Sequence, residues 1–360
     1  MTTDRETARW RLRSQHLAAP HATSASAVVE GLLAVQAENP SQAAWAVAAR
    51  TERPDAADLA ALLDRGAVIR THVLRPTWHF VAAEELTWLL ELTAPRVRPV
   101  VARQLSDIHG WTTADLDRAS SAVVGVLAEQ PHRTRDELGA ALRERGVATD
   151  GQQLMLLLAV TELDRLVCSG RPREGTHTYA TYEDRVPGGR VLDREASLAE
   201  LALRYFTGHG PATERDLAYW ATLTLTDVRR GLAQVRDRLE SFEHDGRTYW
   251  HAPGEAPPRN PQVPAGHLLQ LLDETYRGYQ DSRMVLDSDG IVPRGREASI
   301  GMALVDAQLV AGMKRTVGRR VVFDIKPYVP LLPAQHRALE EAAERYGAFL
   351  GLEHELVVRG

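Results

Sequence analysis

The 360-residue chain contains a single cysteine, Cys168, and only two lysines, Lys314 and Lys326. One thiol excludes an intramolecular disulfide framework and any cysteine-rich zinc site. Within LDRLVCSG it reads as a small strand hydrophobe rather than as a nucleophile. No apolar run approaches the roughly 20 residues needed to cross a bilayer, so no membrane span is expected. The opening stretch MTTDRETARWRLRSQ has no apolar signal core, which points to the cytoplasm. A net charge of −5 gives no overall attraction to nucleic acid. Binding depends on where the cations lie, however. With lysine nearly absent, almost all of the 43 basic residues are arginine, the side chain that suits bidentate phosphate contacts. A GC-rich genome would produce the same bias.

One pattern of elements occurs three times without sequence identity between the copies: a helix, a second helix, a turn, a third helix and a short β-hairpin. That order is the winged helix-turn-helix. The first copy has helices from Arg5 to Ala19, Ser24 to Gln36 and Asp55 to Arg65. Its wing is Val68 to Leu74 with Thr77 to Val81, turned at Arg75-Pro76. In the second copy Thr112 and Thr134 each begin a capping pattern, completed by Asp115 and Glu137. Gln152 to Leu163 is its apolar third helix, and the wing LVCSG–RPREG–THTYATY has a basic tip at Arg171 and Arg173. The third copy runs through Ser197 to Thr207, a helix capped by Thr213 and a helix begun by Thr224. The hairpin LESFEHDGRTYWHA follows, with Asp245-Gly246 at its turn. GEAPPRNPQVP (254–264) has no periodicity and reads as a linker. The last hundred residues mix short strands with one amphipathic helix, Pro333 to Leu350. The expected fold is therefore α+β and mainly α. Three tandem winged helices occupy 1–95, 96–190 and 191–253, and 254–360 forms the linker and a C-terminal β-rich domain.

The segment most suggestive of chemistry is GLLAVQAENPSQAAWAVAAR (31–50). Val28, Val29, Leu32, Leu33 and Val35 have the spacing of a buried helix face. Pro40 disfavours a helical residue before it, so the helix should end near Asn39. Gln36 and Glu38 then fall at an unwinding end, where both can turn into one cleft. A carboxylate can take a proton from water and an amide can orient that water. A solvated helix end is the alternative. His72 and His79 lie close on the first wing without a third ligand, and no metal or other cofactor is expected.

These segments together resemble the AlkZ/YcaQ-like winged-helix DNA glycosylases. The match is carried by LLAVQAE (32–38), LRPTWHFV (74–81), GPATERDLAYWATLTLTDVRRGL (210–232), LLDETYRGYQDSR (271–283) and RYGAFLGLEHELVV (345–358). The resemblance implies cleavage of the N-glycosidic bond of alkylated purines in double-stranded DNA. In some members it extends to bulky adducts or interstrand crosslinks made by genotoxic natural products. It also implies catalysis by a Gln-x-Gln or Gln-x-Asp motif, here Gln36 and Glu38. Glu departs from that pattern by one methylene, roughly an ångström of reach, and a displacement of that size can cost about 10²-fold in rate. On this resemblance Glu38 polarises the attacking water and Gln36 holds it.

Arg75, Thr77 and His79 would flank the cleft and contact the DNA backbone or lesion nucleotide. The alternative is that they serve only local structure. Trp78 would face the core. Arg229 and Arg230 on the third recognition helix, Tyr279 and Arg283 in the C-terminal block, and Lys314, Arg315 and Arg319 on a basic hairpin (309–323) are candidate DNA contacts. A monomer is expected. Two other readings stay open. One is a non-catalytic winged-helix DNA-binding protein or regulator; the other is an inactive relative that confers resistance by binding a genotoxin or its adduct.

Overall fold

Helix α1 (Asp4–Ser14) begins at a capping box, in which Thr3 and Glu6 satisfy each other's backbone N–H groups. In the computed structural model, which describes residues 2–147, 149–254, 256, 264–294 and 301–359, α1 does not open the first helical unit as expected. Its Ala8 and Leu12 face joins the C-terminal core instead. The first unit consists of α2 (Ala25–Leu32), β1 (Val35–Gln36), α3 (Pro40–Ala48), α4 (Ala56–Arg65), β2 (Val68–Val73) and β3 (Arg75–Ala82).

Two corrections arise here from one stretch of sequence. The helix expected to reach Gln36 stops at Leu32, where Leu33 takes φ +63° and turns the chain out into β1. Helix α3, absent from the sequence expectation, starts at the proline read only as a stop. Pro40 occupies its first turn, where a missing N–H costs nothing and the fixed φ suits a helix. The strand order β1-β3-β2 puts Gln36 directly opposite His79.

From β3 the chain runs without a break into α5 (Ala83–His109), whose interior holds the boundary expected at 95/96. Pro95 and Pro99 lie inside this helix. A proline in a helix interior costs about 3 kcal/mol. Against that, α5 fully buries Leu86, Trp88, Leu89, Val97, Val101 and Leu105. Each such side chain contributes about 1.5–3 kcal/mol, so packing wins.

The second unit is α6 (Thr113–Glu129), β4 (Arg133–Thr134), α7 (Arg135–Glu144), α8 (Gly151–Leu163), β5 (Val167–Ser169) and β6 (Thr178–Thr181), followed by the single turn α9 (Tyr182–Arg185). Thr112 and Thr134 form capping boxes with Asp115 and Glu137, as their spacing predicts. The strand order β4-β6-β5 repeats that of the first unit. The third unit is α10 (Arg194–Gly208), α11 (Glu214–Ala221), α12 (Leu225–Val235), a 3₁₀ turn at Arg236–Arg238, and the hairpin β7 (Glu240–His244) and β8 (Arg247–His251). Here an isolated bridge from Ala212 to Trp250 stands in the place of the first strand.

Of the stretch read as a linker, residues 255 and 257–263 lie outside the described residues. The C-terminal region comprises β9 (Gly266–Leu269), α13 (Glu274–Arg277), α14 (Arg283–Leu286), β10 (Gly301–Val305), β11 (Gln308–Val317), β12 (Val321–Pro327), α15 (Pro333–Leu350) and β13 (His354–Val358). Its sheet has the order β13-β12-β11-β10-β9, antiparallel except where β12 meets β13. The fold is thus α+β. One apolar core links the first hairpin through α5 to the second and third units. Another joins the C-terminal sheet and α15 to α1 and to Trp45 of α3, which stacks on Tyr346 with centroids 4.1 Å apart.

The last turn of α10 presses on the end of α2, the helix that feeds β1. A Cβ added at Gly208 would stand 2.4 Å from the Gly31 carbonyl oxygen. Gly208→Ala should therefore destabilise the protein by about 1–3 kcal/mol. Thermal denaturation measures this, and an unchanged midpoint would show that the two helices can part freely.

Candidate active site

Because β1 pairs only with β3, its side chains and those at the start of β3 form one wall. Gln36, Glu38, Arg75 and Thr77 line a cavity of about 300 Å³, closed on the other side by Tyr219, Leu272 and Arg277. Gln36 is nearly fully buried and held at both ends. Its backbone N–H donates to Glu274 Oε1 at 2.9 Å, and its side-chain Oε1 accepts from Arg75 Nη2 at 3.0 Å. This choice of acceptor turns the amide NH₂ away from Arg75. Arg75 is fixed in turn, with Nη1 donating to the Arg277 carbonyl at 2.6 Å. Its guanidinium lies 5.4 Å from the Tyr219 ring centre. Glu38 is half-buried, and its Oε1 accepts the Trp78 N–H at 3.1 Å.

His79 sits behind this wall, completely buried. Burial first, and then the Arg75 charge, hold its pKa down to about 3. The neutral ring makes a consistent pair of contacts: Nδ1–H donates to the Thr77 carbonyl at 3.0 Å, and Nε2 lies 3.4 Å from Arg75 Nη2. The segment between the two candidate residues is clamped from the far side of the sheet by Arg70. Its Nε donates to the Ala37 carbonyl at 2.9 Å and its Nη2 to the Glu38 carbonyl at 3.1 Å, while the guanidinium lies over Trp78 at 4.4 Å. Trp78 is accordingly half-buried, not a core residue. Among the described residues, no group of three or more His, Cys, Asp or Glu side chains is arranged to hold a metal. His72 pairs instead with the buried Glu162. Cys168 is buried, and burial pushes its thiol pKa up, which suits a packing role.

A sequence profile of the family described as "DNA glycosylase AlkZ-like" matches residues 29–349. The chain belongs to this AlkZ-like family. An interstrand DNA cross-link repair glycosylase from Streptomyces sahachiroi is 25% identical over 252 residues, a match that spans 66% of this chain and 66% of the relative. The solved structure of Streptomyces sahachiroi DNA glycosylase AlkZ has the same fold. It is matched over 100% of both chains with a TM-score of 0.76 at 22% identity.

The remaining candidates are scattered over this AlkZ-like chain. Arg75 is buried against Gln36 instead of standing at a wing tip. Tyr279 is closed to any duplex: it is 2% exposed, its hydroxyl donates to the His209 carbonyl at 2.7 Å, and Arg11 lies 3.7 Å over its ring. Arg283 is held by Asp287 at 3.1 Å and by the Val292 carbonyl. In the third unit Arg229 is exposed but paired with Glu214 at 2.7 Å, and Arg230 is paired with Glu195. Arg315 donates to the Tyr346 hydroxyl at 2.6 Å, whereas Lys314 and Arg319 are exposed on the β11–β12 hairpin. Sequence reasoning missed Arg70, Tyr219, Glu274 and Arg277. Glu274 and Arg277 lie within a block already singled out, LLDETYRGYQDSR, but only the fold brings them behind Gln36.

The depressed His79 value sets a pH dependence. The unfolded chain takes up this proton near pH 6.5 and the folded chain near 3, so between them the unfolded state binds more protons. Stability should therefore fall as pH falls from 6.5 towards 3. His267, held near 4 by burial and by Arg345, adds to the same slope. Urea midpoints at pH 7 and 4.5 should converge in His79→Gln relative to the parent. An identical pH dependence in both proteins would contradict a neutral buried His79.

Proposed function

We propose that the chain is a monofunctional DNA glycosylase that hydrolyses the N-glycosidic bond of purines alkylated at N7 or N3 in double-stranded DNA, with bulky adducts and interstrand crosslinks among its substrates. Its three helical units, the first two with the same strand order, act as winged helix-turn-helix domains. One observation carries this reading. Gln36 and Glu38 meet in a single cavity of about 300 Å³, with the Gln36 amide locked from behind by Arg75. The family membership and the crosslink-repair name of the Streptomyces relative support it.

An N7- or N3-alkylated purine is already cationic and leaves without a proton donor. The glycosidic bond breaks as its electron pair neutralises the departing base. Water then attacks C1′ and gives up a proton to Glu38. Glu38 polarises that water and offsets the positive charge that grows on the sugar. Gln36 positions the water, and with its backbone and side-chain oxygen both fixed, little reorganisation is needed in the reaction. The Trp78 N–H anchors one carboxylate oxygen of Glu38, which suits the longer glutamate to the work of an aspartate. Lys314 and Arg319 are the exposed cations best suited to meet phosphate.

The test is single-turnover base release from duplexes carrying N7-methylguanine, a bulky aromatic N7 adduct or an N7 crosslink. Glu38→Gln and Gln36→Ala should each slow release by about 10²-fold or more, with duplex affinity held within about twofold. Parental rates in both variants would remove the site. Duplex binding without release from any substrate would support a DNA-binding module instead. Lys314→Ala with Arg319→Ala should reduce the slope of log Kd against log salt by about 1–2, and an unchanged slope would take phosphate contact away from this hairpin.

A further inference from the structure

Glu274 is fully buried at the head of α13, yet it makes no direct ion pair with an arginine or lysine among the described residues. An ionised carboxylate removed from water is costly unless donors surround it. Three donors do. Oε1 accepts from the Gln36 backbone at 2.9 Å, and Oε2 accepts from Trp220 Nε1 at 3.1 Å and meets His209 Nε2 at 3.3 Å. Burial opposes the charge, but the His209 hydrogen bond and, further off, Arg75 hold its pKa below the usual carboxylate range. His209 is itself pushed towards the neutral form by burial. Its Nδ1 has no partner, as fits a ring that carries its one proton on Nε2. Packing here is tight: a Cβ at Gly278 would stand 2.5 Å from the Glu274 carbonyl oxygen and 3.2 Å from its Oε2.

A buried charge of this kind adds little net stability over an apolar filling. Its placement has a second effect. Arg75 grips the side chain of Gln36 while Glu274 grips its backbone, so the two opposite charges hold one residue between them. With His79 and His209 neutral, Glu274 is also the anion that opposes Arg75 from behind Gln36.

We propose that Glu274 is a positioning residue for base release. It fixes the backbone of Gln36, and its charge keeps Arg75 from presenting unopposed positive charge to a reacting sugar. This inference rests on the glycosylase reading.

The experiment compares the full-length parent with Glu274→Gln, which removes the charge, and Glu274→Asp, which keeps it but withdraws the oxygen from the Gln36 N–H. At saturating enzyme, both Glu274 variants should release base on the order of 10- to 100-fold more slowly. Duplex Kd should stay within about twofold, and the Gln36 amide should exchange with solvent faster in Glu274→Asp. A lower melting temperature with a parental rate constant in the Glu274 variants would make the residue merely structural and overturn the proposal. Should Glu274→Gln fail to fold, a parental rate in Glu274→Asp overturns it alone. A parent that binds duplex and releases no base overturns the glycosylase reading instead, while the exchange of the Gln36 amide still reports on whether Glu274 holds it.

Discussion

A guanidinium and a carboxylate with no access to water, Arg50 and Asp273, hold the site together from behind. They meet through two hydrogen bonds of 2.7 and 3.1 Å, and both side chains are fully buried. Arg50 lies within the first unit, just beyond α3, and Asp273 caps α13 in the C-terminal region. Arg50 also reaches Gln15 at 2.9 Å, and Gln15 donates to the Tyr279 hydroxyl, which binds the third unit through the His209 carbonyl. Removing one partner of such a pair costs about 3–5 kcal/mol, because the other charge is left stranded. Segments far apart in sequence are thereby brought to one point. The residue after Asp273 is Glu274, and three further on the Arg277 carbonyl receives Arg75.

This arrangement concentrates buried polar groups where an apolar core would have been simpler. Gln36, Arg75, His79, His209 and Glu274 are all buried, and each has a partner that fixes its direction. Burial settles which of them carry charge: it keeps the two imidazoles neutral, while Arg75 and the donors around Glu274 keep that carboxylate ionised. Violations of local packing rules gather at functional sites in natural proteins, and their cost is met by the surrounding fold.

Much of the helical framework was legible because it is written in local signals. Thr112, Thr134, Thr213 and Thr224 each cap a helix by accepting from the backbone N–H three residues on, and the Asp245-Gly246 turn and the Pro333–Leu350 helix follow their patterns. Three features were not legible, for separate reasons. Pro40 was ambiguous, since the residue that ends one helix is equally suited to begin the next. Helix α5 passes through two prolines because its burial outweighs them, which no local rule reveals. Tyr279 carried the aromatic and polar character of a contact residue, but long-range packing turned it inward. Gln36 and Glu38 were recognised as a pair, yet the way they converge depends on a strand register with His79 and on a glutamate 238 positions away.

The continuity of β3 into α5 has a mechanical side. A helix of 27 residues, buried along much of its length and packed in a core shared by two units, resists hinging between them. The spacing between the hairpin that carries Arg75 and the second unit is set when the chain folds. A body of this kind behaves less like a clamp than like a fixed-jaw gauge. On the glycosylase reading proposed above, a duplex would have to do the bending, and its own deformability would become part of what is selected.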